Sequence, residues 1–509
     1  MRSVRSSFLR GIFLGTAVLL VSSPVRSENW RVSSGLTTRA IASDNISFSA
    51  AAPQSDTLLE VNPNVRLTRV SPRLTLDANY APRYLHYADD TFDSRLSNAF
   101  NVSGRAEVVD DLFFLDLRAV SAQRNQSVFN AVPTDNTLAS NELSETRTYS
   151  ITPAFRGTVR LGDVATWNSS YNVTRSDVSG ATSNSLTTET FNGTLTGTPA
   201  KLGWQVNVSS VRTESDISRS TDRKRIYGSL IYRPDATLSI TTRLGYEDTS
   251  NLSRQSSGNA NYGVGVNWQP GPRTAMRADW DHRPVARTNN FSLTHRLPRT
   301  FLSANYNRTL TSRTEQFLSP SGALDRYEFL ATQEPFASIA DTTLRELAME
   351  QFLQSQNLTR YVNVLSPVLS DRQFLQSRWQ LSATYSGPRG TVALSYFRSS
   401  SDSTVGSIGA VQGDDFALSP VITQQGWTAT YNHRLTALSS VNLSLTSSKS
   451  DGRASTGIGS DRDVLNATWT HRLGARTNGS IGLRMTRATV AAGDLDENAV
   501  IASVSTQFF

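Results

Sequence analysis

Strict alternation of apolar and polar residues constrains the fold of this chain more than any other feature. Residues 262–268 read Tyr-Gly-Val-Gly-Val-Asn-Trp, so every second side chain is apolar or aromatic and the others are Gly or Asn. A period of two is that of a β-strand, whereas an amphipathic helix would need a period of 3.6. The same alternation recurs in 165–174, 202–209, 302–306, 378–385 and 465–469. The chain is therefore predicted to be all-β.

The connections between these strands alternate between short turns and long polar stretches. Tight turns at one end and long loops at the other are typical of bacterial outer-membrane barrels, in which the turns are periplasmic. The short turns are Ser71-Pro72-Arg73, Val109-Asp110-Asp111, Thr198-Pro199-Ala200, Arg233-Pro234-Asp235, Gln269-Pro270-Gly271-Pro272, Leu297-Pro298-Arg299, Gly387-Pro388-Arg389 and Gly474-Ala475-Arg476, and the long stretches are 124–145, 177–187, 214–224, 248–259, 402–423 and 451–462.

Counting strands from Trp30 predicts a large antiparallel transmembrane β-barrel of about 22 strands, with 18 and 20 left open. The first strand is placed around 36–48 and the last around 497–509, so that both ends are periplasmic. A barrel of this size has a lumen wide enough for water or for a plug.

Residues 1–27 predict a signal peptide. Arg2, Arg5 and Arg10 precede an apolar run over 11–21, and a small-residue context ends at Ser27. An apolar run of about 11 residues is too short to span a bilayer, which needs about 20. Cleavage would leave the barrel over 28–509 and an exported protein of the outer membrane, with the lipid bilayer as a partner.

Charge and cysteine content exclude two further classes. The signal segment carries four of the 50 basic residues and no acid, which leaves 46 basic against 43 acidic residues and a net charge of +3. A nucleic-acid partner is therefore not expected. The chain has no cysteine, so neither disulfides nor thiolate metal sites are predicted.

Residues 313–375 interrupt the strand pattern with a long helix-containing insertion, predicted to be extracellular or to fold into the lumen. Thr343 and Glu346 fit a capping box, and apolar residues at helical spacing follow to about residue 356. A loop stabilised by its own helix is favoured over a selective constriction or a partner-docking element.

Aromatic residues and histidines recur near the predicted strand ends. Four aromatic residues lie close to short turns and two lie near opposite strand ends, which indicates girdles at the two membrane boundaries: Trp204, Trp268, Tyr431 and Trp469, and Trp379 and Trp427. His295, His433 and His471 each precede Arg-Leu and a short turn. Such recurrence favours an interfacial role over catalysis.

No motif predicts catalysis. A nucleophile elbow, a zinc-binding His-Glu-x-x-His helix and a phosphate-binding Gly-rich loop are all missing from the sequence. We predict no catalytic, cofactor-binding or metal-binding residues, no cofactor and no enzyme activity. The paired acids Asp110-Asp111 and Asp414-Asp415 are interpreted as solvated loop charge rather than calcium ligands.

Arginines inside strands leave two interpretations open. On the lumen face they would either favour passage of anions or sugars, or form a network with Asp and Glu that stiffens the barrel. These arginines are Arg66, Arg69, Arg118, Arg175, Arg225, Arg243, Arg277 and Arg484.

The C-terminus ends in Gln507-Phe508-Phe509, a terminal aromatic of the kind read by barrel-assembly machinery. The apolar alternation of the last strand is in phase with Phe508 and out of phase with Phe509. Either Phe508 carries the lipid-facing register or the strand is irregular.

Several strand and turn segments resemble the uncharacterised outer-membrane β-barrel family associated with exosortase, or PEP-CTERM, systems. The resemblance spans nearly the whole mature chain. The segments are Ala42-Ser43-Asp44-Asn45-Ile46, Val61-Asn62-Pro63-Asn64-Val65, Leu76-Asp77-Ala78-Asn79-Tyr80, Asn98-Ala99-Phe100-Asn101, 107–114 and Ile151-Thr152-Pro153-Ala154-Phe155. The resemblance implies a role beside exopolysaccharide production and surface-protein sorting, and it implies no catalytic residue.

Two functions remain open at this stage. The first is a porin-like pore or passage that exports extracellular polysaccharide with its synthesis and export components. The second is a non-transporting surface or assembly protein whose loops retain polysaccharide or sorted surface proteins. A TonB-dependent receptor fits the strand number but needs a plug domain before the first strand, and a barrel hydrolase needs a residue cluster that the sequence does not offer.

Overall fold

The fold is that of a computed structural model, in which part of the chain is described. The described residues are 30–125, 127–130, 143–161, 165–179, 184–197, 201–216, 220–250, 256–284, 286–311, 323–325, 345, 349, 361–363, 368, 370, 374–403, 415–453, 458–491 and 493–508. The predicted signal peptide 1–27 and the turn 198–200 lie outside them.

Strands account for nearly all of the regular structure. In chain order they are β1 (Trp30–Ser43), β2 (Asp56–Val70), β3 (Leu74–Tyr80), β4 (Arg83–Tyr87), β5 (Arg95–Ser97), β6 (Phe100–Val109), β7 (Phe113–Asn125), β8 (Leu143–Leu161), β9 (Ala165–Ser179), β10 (Asn184–Gly197), β11 (Leu202–Ser215), β12 (Thr221–Tyr232), β13 (Leu238–Ser250), β14 (Ser256–Gly271), β15 (Thr274–His282), β16 (Arg287–Arg296), β17 (Thr300–Thr311), β18 (Ala323–Asp325), β19 (Tyr361–Asn363), β20 (Phe374–Ser386), β21 (Gly390–Ser403), β22 (Val421–Arg434), β23 (Ser439–Gly452), β24 (Gly459–Arg472), β25 (Thr477–Val490) and β26 (Gly493–Gln507).

The strands form a closed antiparallel barrel with 22 strands in its wall, as predicted. β3 and β4 share one position in the wall, interrupted at Ala81-Pro82, where proline cannot donate a ladder hydrogen bond. β5 and β6 likewise share one position. The short strands β18 and β19 pair with each other in a separate two-stranded sheet.

Closure joins the first and last strands of the chain. β1 pairs with β26 from Gly35 opposite Gln507 to Ser43 opposite Ala499. The first strand therefore begins at Trp30 and ends at Ser43, earlier than the predicted 36–48. The reason is that residues 44–48 leave the wall and turn inward, although their apolar side chains extend the strand pattern.

Side-chain alternation gives the wall an apolar outer face and a polar inner face. On β13, Leu244 is 72% exposed and Tyr246 is 52% exposed, whereas Glu247 is 0% and Thr249 is 2% exposed. A continuous apolar surface of this kind needs a lipid environment. The outer face is also where Phe508 lies, 50% exposed and in phase with Val500 and Val504, so Phe508 carries the lipid-facing register.

The aromatic residues predicted for the girdles all lie on the outer face, at 36–43% exposure. Trp204 and Trp469 lie close to short turns, as predicted. Trp379 and Trp427 instead lie near the middle of β20 and β22. The prediction placed them at strand ends because its connections 313–375 and 402–423 ran past the first residues of these strands, Phe374 and Val421.

At the loop end the strands are longer than predicted and include residues that were assigned to loops. The predicted loop 248–259 overlaps both neighbouring strands, since β13 ends at Ser250 and β14 begins at Ser256. Likewise β9 reaches Ser179 and β10 starts at Asn184. Above the membrane both faces of a strand are in water, so apolar alternation is lost while backbone pairing continues.

Helix is rare among the described residues. The segment α1 (Asp415–Leu418) lies between β21 and β22. Within the predicted insertion 313–375, the capping box and most of the proposed helix lie outside the described residues, but Arg345 and Met349 are helical and Met349 is 2% exposed. No helix in the described part of the chain is long and apolar enough to cross a membrane.

The lumen and its mouth as the candidate functional site

The barrel has two distinct ends, and described parts of the connections at one of them, 127–130 and 415–418, fold into the mouth. We call the end with the short turns the turn end and the other the loop end. Between them, Asn101, Ser103, Arg118 and Asn168 on the inner faces of β6, β7 and β9 are exposed. The lumen beside these strands is therefore accessible to water.

Arginines and carboxylates pair across the inner face of β12 to β15. The Arg283 Nη2 lies 2.6 Å from Glu247 Oε1, and Arg225 lies 3.8 Å from the same carboxylate. Arg243 bridges two aspartates, at 2.9 Å to Asp279 and 2.8 Å to Asp281. Because these groups are mostly buried, the pairing compensates charges that would otherwise be costly to desolvate.

Two inner-face glycines make room for this network. A Cβ atom at Gly263 would collide with the Asp281 carboxylate, and one at Gly265 would collide with that of Asp279. Both glycines belong to β14, the strand whose alternation defined the fold. Their role is therefore to let carboxylates from β15 lie flat against the wall beside Arg243.

A second buried pair lies next to the closing strands. Arg484 on β25 donates from Nη2 to Glu497 Oε1 at 2.7 Å, and the two side chains are 1% and 0% exposed. The hydroxyls of Ser43 and Thr486 donate to the same carboxylate at 3.0 and 3.2 Å. This hydrogen-bonded group links β1, β25 and β26 where the barrel closes.

The predicted arginines divide between the two faces. Arg66 pairs with Asp77 across β2 and β3, on the inner face. Two of the eight lie outside: Arg69 stacks over the Trp30 ring at 5.0 Å, and Arg175 pairs with Asp177. The inner-face ones are Arg66, Arg118, Arg225, Arg243, Arg277 and Arg484. Most of these have carboxylate partners, so the stiffening network is present.

An apolar cluster covers the inner wall next to the closure, which we call the seam cluster. Ile46 and Phe48, from the connection after β1, are 0% and 6% exposed. They pack on Leu58, Leu85 and Tyr87 of the inner wall. The Asn45 amide donates to the Ser49 and Asp496 carbonyls at 3.0 Å and fixes the inward turn.

A second apolar cluster, the mouth cap, joins strands that are distant in the wall. Its members are Val128, Phe129, Val368, Phe374, Phe416 and Ile422, with Ile458 packed against them. Residues 127–129 follow β7, yet the Ser127 hydroxyl donates to Asp415 at 2.6 Å and the Val128 carbonyl accepts from Ser460 of β24 at 3.2 Å. Six wall positions separate β7 from β24 on the shorter path. The contact is therefore made across the loop-end mouth.

Sequence reasoning did not find either cluster, because single apolar residues in connections have no periodicity. It also misinterpreted Asp415. This residue is 1% exposed and accepts the Ser127 hydroxyl, so it is a structural acceptor in the mouth cap and not solvated loop charge. Asp110 fits the prediction better, since it is exposed and pairs with Arg73 at 2.7 Å. Asp414 lies outside the described residues.

The three recurrent histidines lie on the outer face next to the short turns. Thr274, Tyr431 and Ser439 hydroxyls lie 2.7–2.9 Å from the Nδ1 atoms of His295, His433 and His471. His471 also stacks on Trp469 with ring centroids 5.6 Å apart. No group of three or more possible metal ligands occurs among the described residues.

Comparison with known proteins supports the fold. No family model matches the chain, and no curated protein matches it. The FrpB iron transporter from Neisseria meningitidis (F3-3 variant) superposes with a TM-score of 0.51 at 11% identity, over 95% of this chain and 82% of that chain. The apoprotein form of its F5-1 variant gives 0.51 at 11%, over 95% and 81%.

A further solved structure superposes less well. OccK8 (OprE) from Pseudomonas aeruginosa has a TM-score of 0.35 at 11% identity, over 94% of this chain and 98% of that chain. Identities this low concern the fold alone. The closed wall of 22 strands, its apolar outer face and the superposition on FrpB identify the chain as a β-barrel of the Gram-negative outer membrane.

Proposed function

We propose that this barrel is a passage through the outer membrane for an extracellular polysaccharide. The observation that carries the proposal is the inner face, which is polar and remains exposed at Asn101, Ser103, Arg118 and Asn168. Amide and hydroxyl groups can exchange hydrogen bonds with sugar hydroxyls, and arginine can bind sugar carboxylates. The fold similarity to a protein described as an iron transporter agrees with a transport role.

For transport, the mouth cap would have to open. Because residues 127–129 bridge the mouth, the free barrel is expected to conduct ions weakly, and a polymer would have to separate the cap. Purified protein in planar bilayers tests this. Replacing Val128 and Phe129 together by Ser should raise the single-channel conductance, since it removes the buried apolar contacts with Phe374.

Leu418→Ser is the matched control, because Leu418 lies in α1 next to the cap but is 50% exposed. It should leave the conductance unchanged. If neither the wild type nor the Val128/Phe129 variant conducts while both remain folded in the heat-shift assay on SDS gels, the passage is excluded.

A second function is favoured by the cap itself. A barrel whose mouth is held closed by buried contacts would serve as a surface or assembly protein that retains polysaccharide or sorted proteins through its loops. Deleting the gene separates the two functions. Loss of polymer from the medium and the cell surface supports passage, whereas normal secretion with loss of surface retention supports the second function.

The exosortase association and the assembly partner belong to the same proposal. Genes for polysaccharide synthesis next to this one would support the association, and their absence from related genomes would count against it.

For barrel-assembly machinery, the outer-face position of Phe508 supports recognition of β26. Phe508→Ala should lower the amount of folded protein in the outer membrane, while Leu473→Ala at another turn should not.

A further inference from the structure

Arg378, an arginine of the inner wall, has no carboxylate partner among the described residues, unlike Arg243, Arg283 and Arg484. Arg378 lies on β20, where the Nη2 atom donates only to Gln380 Oε1 at 3.3 Å. Its Nε atom is buried and has no hydrogen-bond partner.

An unused hydroxyl lies directly opposite this arginine. Ser399 of β21 pairs in register with Arg378, and both side chains are on the inner face. Ser399 is 1% exposed, and its Oγ atom has no hydrogen-bond partner. Directly opposite residues in antiparallel strands have Cβ atoms about 4.5–5.5 Å apart, so the two side chains can bind one group between them.

Apolar side chains lie on both sides of this pair along the wall. Toward the loop end are Phe374 and Ile422 of the mouth cap, at 0% and 1% exposure. Toward the turn end is Phe397, at 3% exposure, with Gly426 opposite it; a Cβ at Gly426 would collide with the ring. The pair and its polar neighbours Gln376, Ser401 and Gln380 thus lie between these apolar side chains. In such a buried setting an isolated cation is costly and a bound anion is strongly held.

We propose that Arg378 and Ser399 bind an oxyanion of the carboxylate class, such as the acid group of a uronate sugar. The guanidinium can donate from Nε and from one Nη to the two carboxylate oxygens, and the Ser399 hydroxyl supplies a third donor. Within the described part of the chain, no acid pairs with Arg378 and competes for these donors. The proposal does not depend on transport, because a barrel that conducts nothing would still bind the anion.

Thermal unfolding of the purified full chain in detergent, in a zwitterionic buffer, tests the proposal. Sodium glucuronate should raise the unfolding midpoint in a saturable way, since a ligand that binds only the folded state stabilises it. Glucose tests recognition of the neutral sugar, and sodium chloride at equal ionic strength tests a simple ion effect. Neither should reproduce the shift.

Two variants locate the effect. Arg378→Met should unfold at a higher temperature than the wild type without anion, because it removes a buried unpaired cation, and it should lose the glucuronate shift. Ser399→Ala should keep the shift but need several-fold more glucuronate. Calorimetric titration should show that Arg378→Met weakens binding at least about tenfold, the loss expected for charge-assisted hydrogen bonds.

Arg398→Gln is the matched control. Arg398 precedes Ser399 on the same strand but lies exposed on the outer face, so its replacement removes the same charge without touching the site. It should respond to glucuronate like the wild type. An equal shift by chloride, an unchanged response in Arg378→Met, or no glucuronate shift in the wild type would each overturn the proposal. None of these results depends on whether the barrel conducts.

Discussion

Two sectors of the inner wall differ in what lies beside their buried arginines. In the sector from β12 to β15, Arg225, Arg243 and Arg283 all lie beside carboxylates. In the sector of β20 and β21, Arg378 lies opposite a serine whose hydroxyl is unused. In both sectors a mostly buried arginine projects from a wall strand, so the two sectors differ in whether a carboxylate lies beside it. A compensated arginine stiffens the wall, and an uncompensated one is available to a ligand.

The largest loss of stability is expected when an arginine of the first sector is deprived of its carboxylate, as Arg378 is in the second. Glu247→Gln keeps the shape of the side chain but leaves Arg225 and Arg283 without their shared carboxylate. Breaking a buried ion pair costs about 3–5 kcal/mol, because a desolvated charge remains. Urea-induced unfolding in detergent should show this loss, and the variant should also gain stability from added oxyanions.

Glu214→Gln provides the comparison for that measurement. Glu214 pairs with Arg212 on the outer face at the loop end, and both side chains are about half exposed. Exposed pairs contribute about 0–1 kcal/mol, so this variant should unfold almost like the wild type. A loss of similar size in both variants would show that burial does not separate the two kinds of pair.

A smaller loss is expected from crowding the compensated sector without changing its charge. Gly263→Ala would push the Asp281 carboxylate away from Arg243. Overpacking of this kind costs about 1–3 kcal/mol. Gly271→Ala on the same strand should cost less, since nothing lies within 4 Å of its added Cβ. Equal unfolding midpoints for the two variants would contradict the packing role of Gly263.

The converse change supplies the second sector with an acid. Ser399→Asp places a carboxylate opposite Arg378, and a charge-assisted hydrogen bond should stabilise the fold by about 1–2 kcal/mol. The same variant should lose its stabilisation by glucuronate, because the built-in acid occupies the guanidinium. Ser400→Asp, on the outer face of β21, should retain the glucuronate response. Retention of that response in Ser399→Asp would show that the anion binds elsewhere.

The comparison also shows what could be read from the sequence. Alternation in strands such as 262–268 and the Pro-containing turns predicted the barrel, its number of about 22 strands and the two faces of the strands that alternate clearly. Arg378 could be assigned to the polar face in the same way. That Arg378 has no carboxylate partner could not be predicted, because the partner depends on which residue of β21 lies opposite. The register between strands is set by the whole wall.

The mouth was the least predictable part, for a related reason. Val128 and Phe129 are two apolar residues in a polar connection, and nothing in their spacing indicates contact with Phe416 or Ile422. Periodic patterns report on a residue's own strand, whereas the cap is built from connections that meet only after the barrel has closed. The inward turn of Ile46 and Phe48 escaped prediction for the same reason, because their alternation imitates a longer β1.

The smallest effect is expected at the turn end, where a carboxylate is satisfied by hydrogen bonds alone. Asp235, between β12 and β13, accepts the Thr237 hydroxyl and backbone N–H at 2.7 Å and the Leu238 N–H at 3.0 Å. The Thr237 hydroxyl, followed by the backbone donors, lowers the pKa of Asp235 from its ordinary value of 3.8. A lowered pKa means that the stabilisation is present above the ordinary pKa and is lost as the pH falls through the lowered value.

The difference in unfolding midpoint between Asp235→Asn and the wild type should therefore become smaller as the pH is lowered. Asparagine keeps one acceptor oxygen but has no charge, so at neutral pH the variant should unfold at a slightly lower temperature. As the pH falls below the ordinary carboxyl pKa of about 4 and then through the lowered pKa, the wild-type carboxylate takes up a proton, and the two unfolding midpoints should converge. Because the group is exposed, added salt should reduce the neutral-pH difference, whereas salt should not reduce the loss in Glu247→Gln in the same way. A salt response of equal size at both positions would remove the distinction between buried and exposed charge on which the comparison of the two sectors rests.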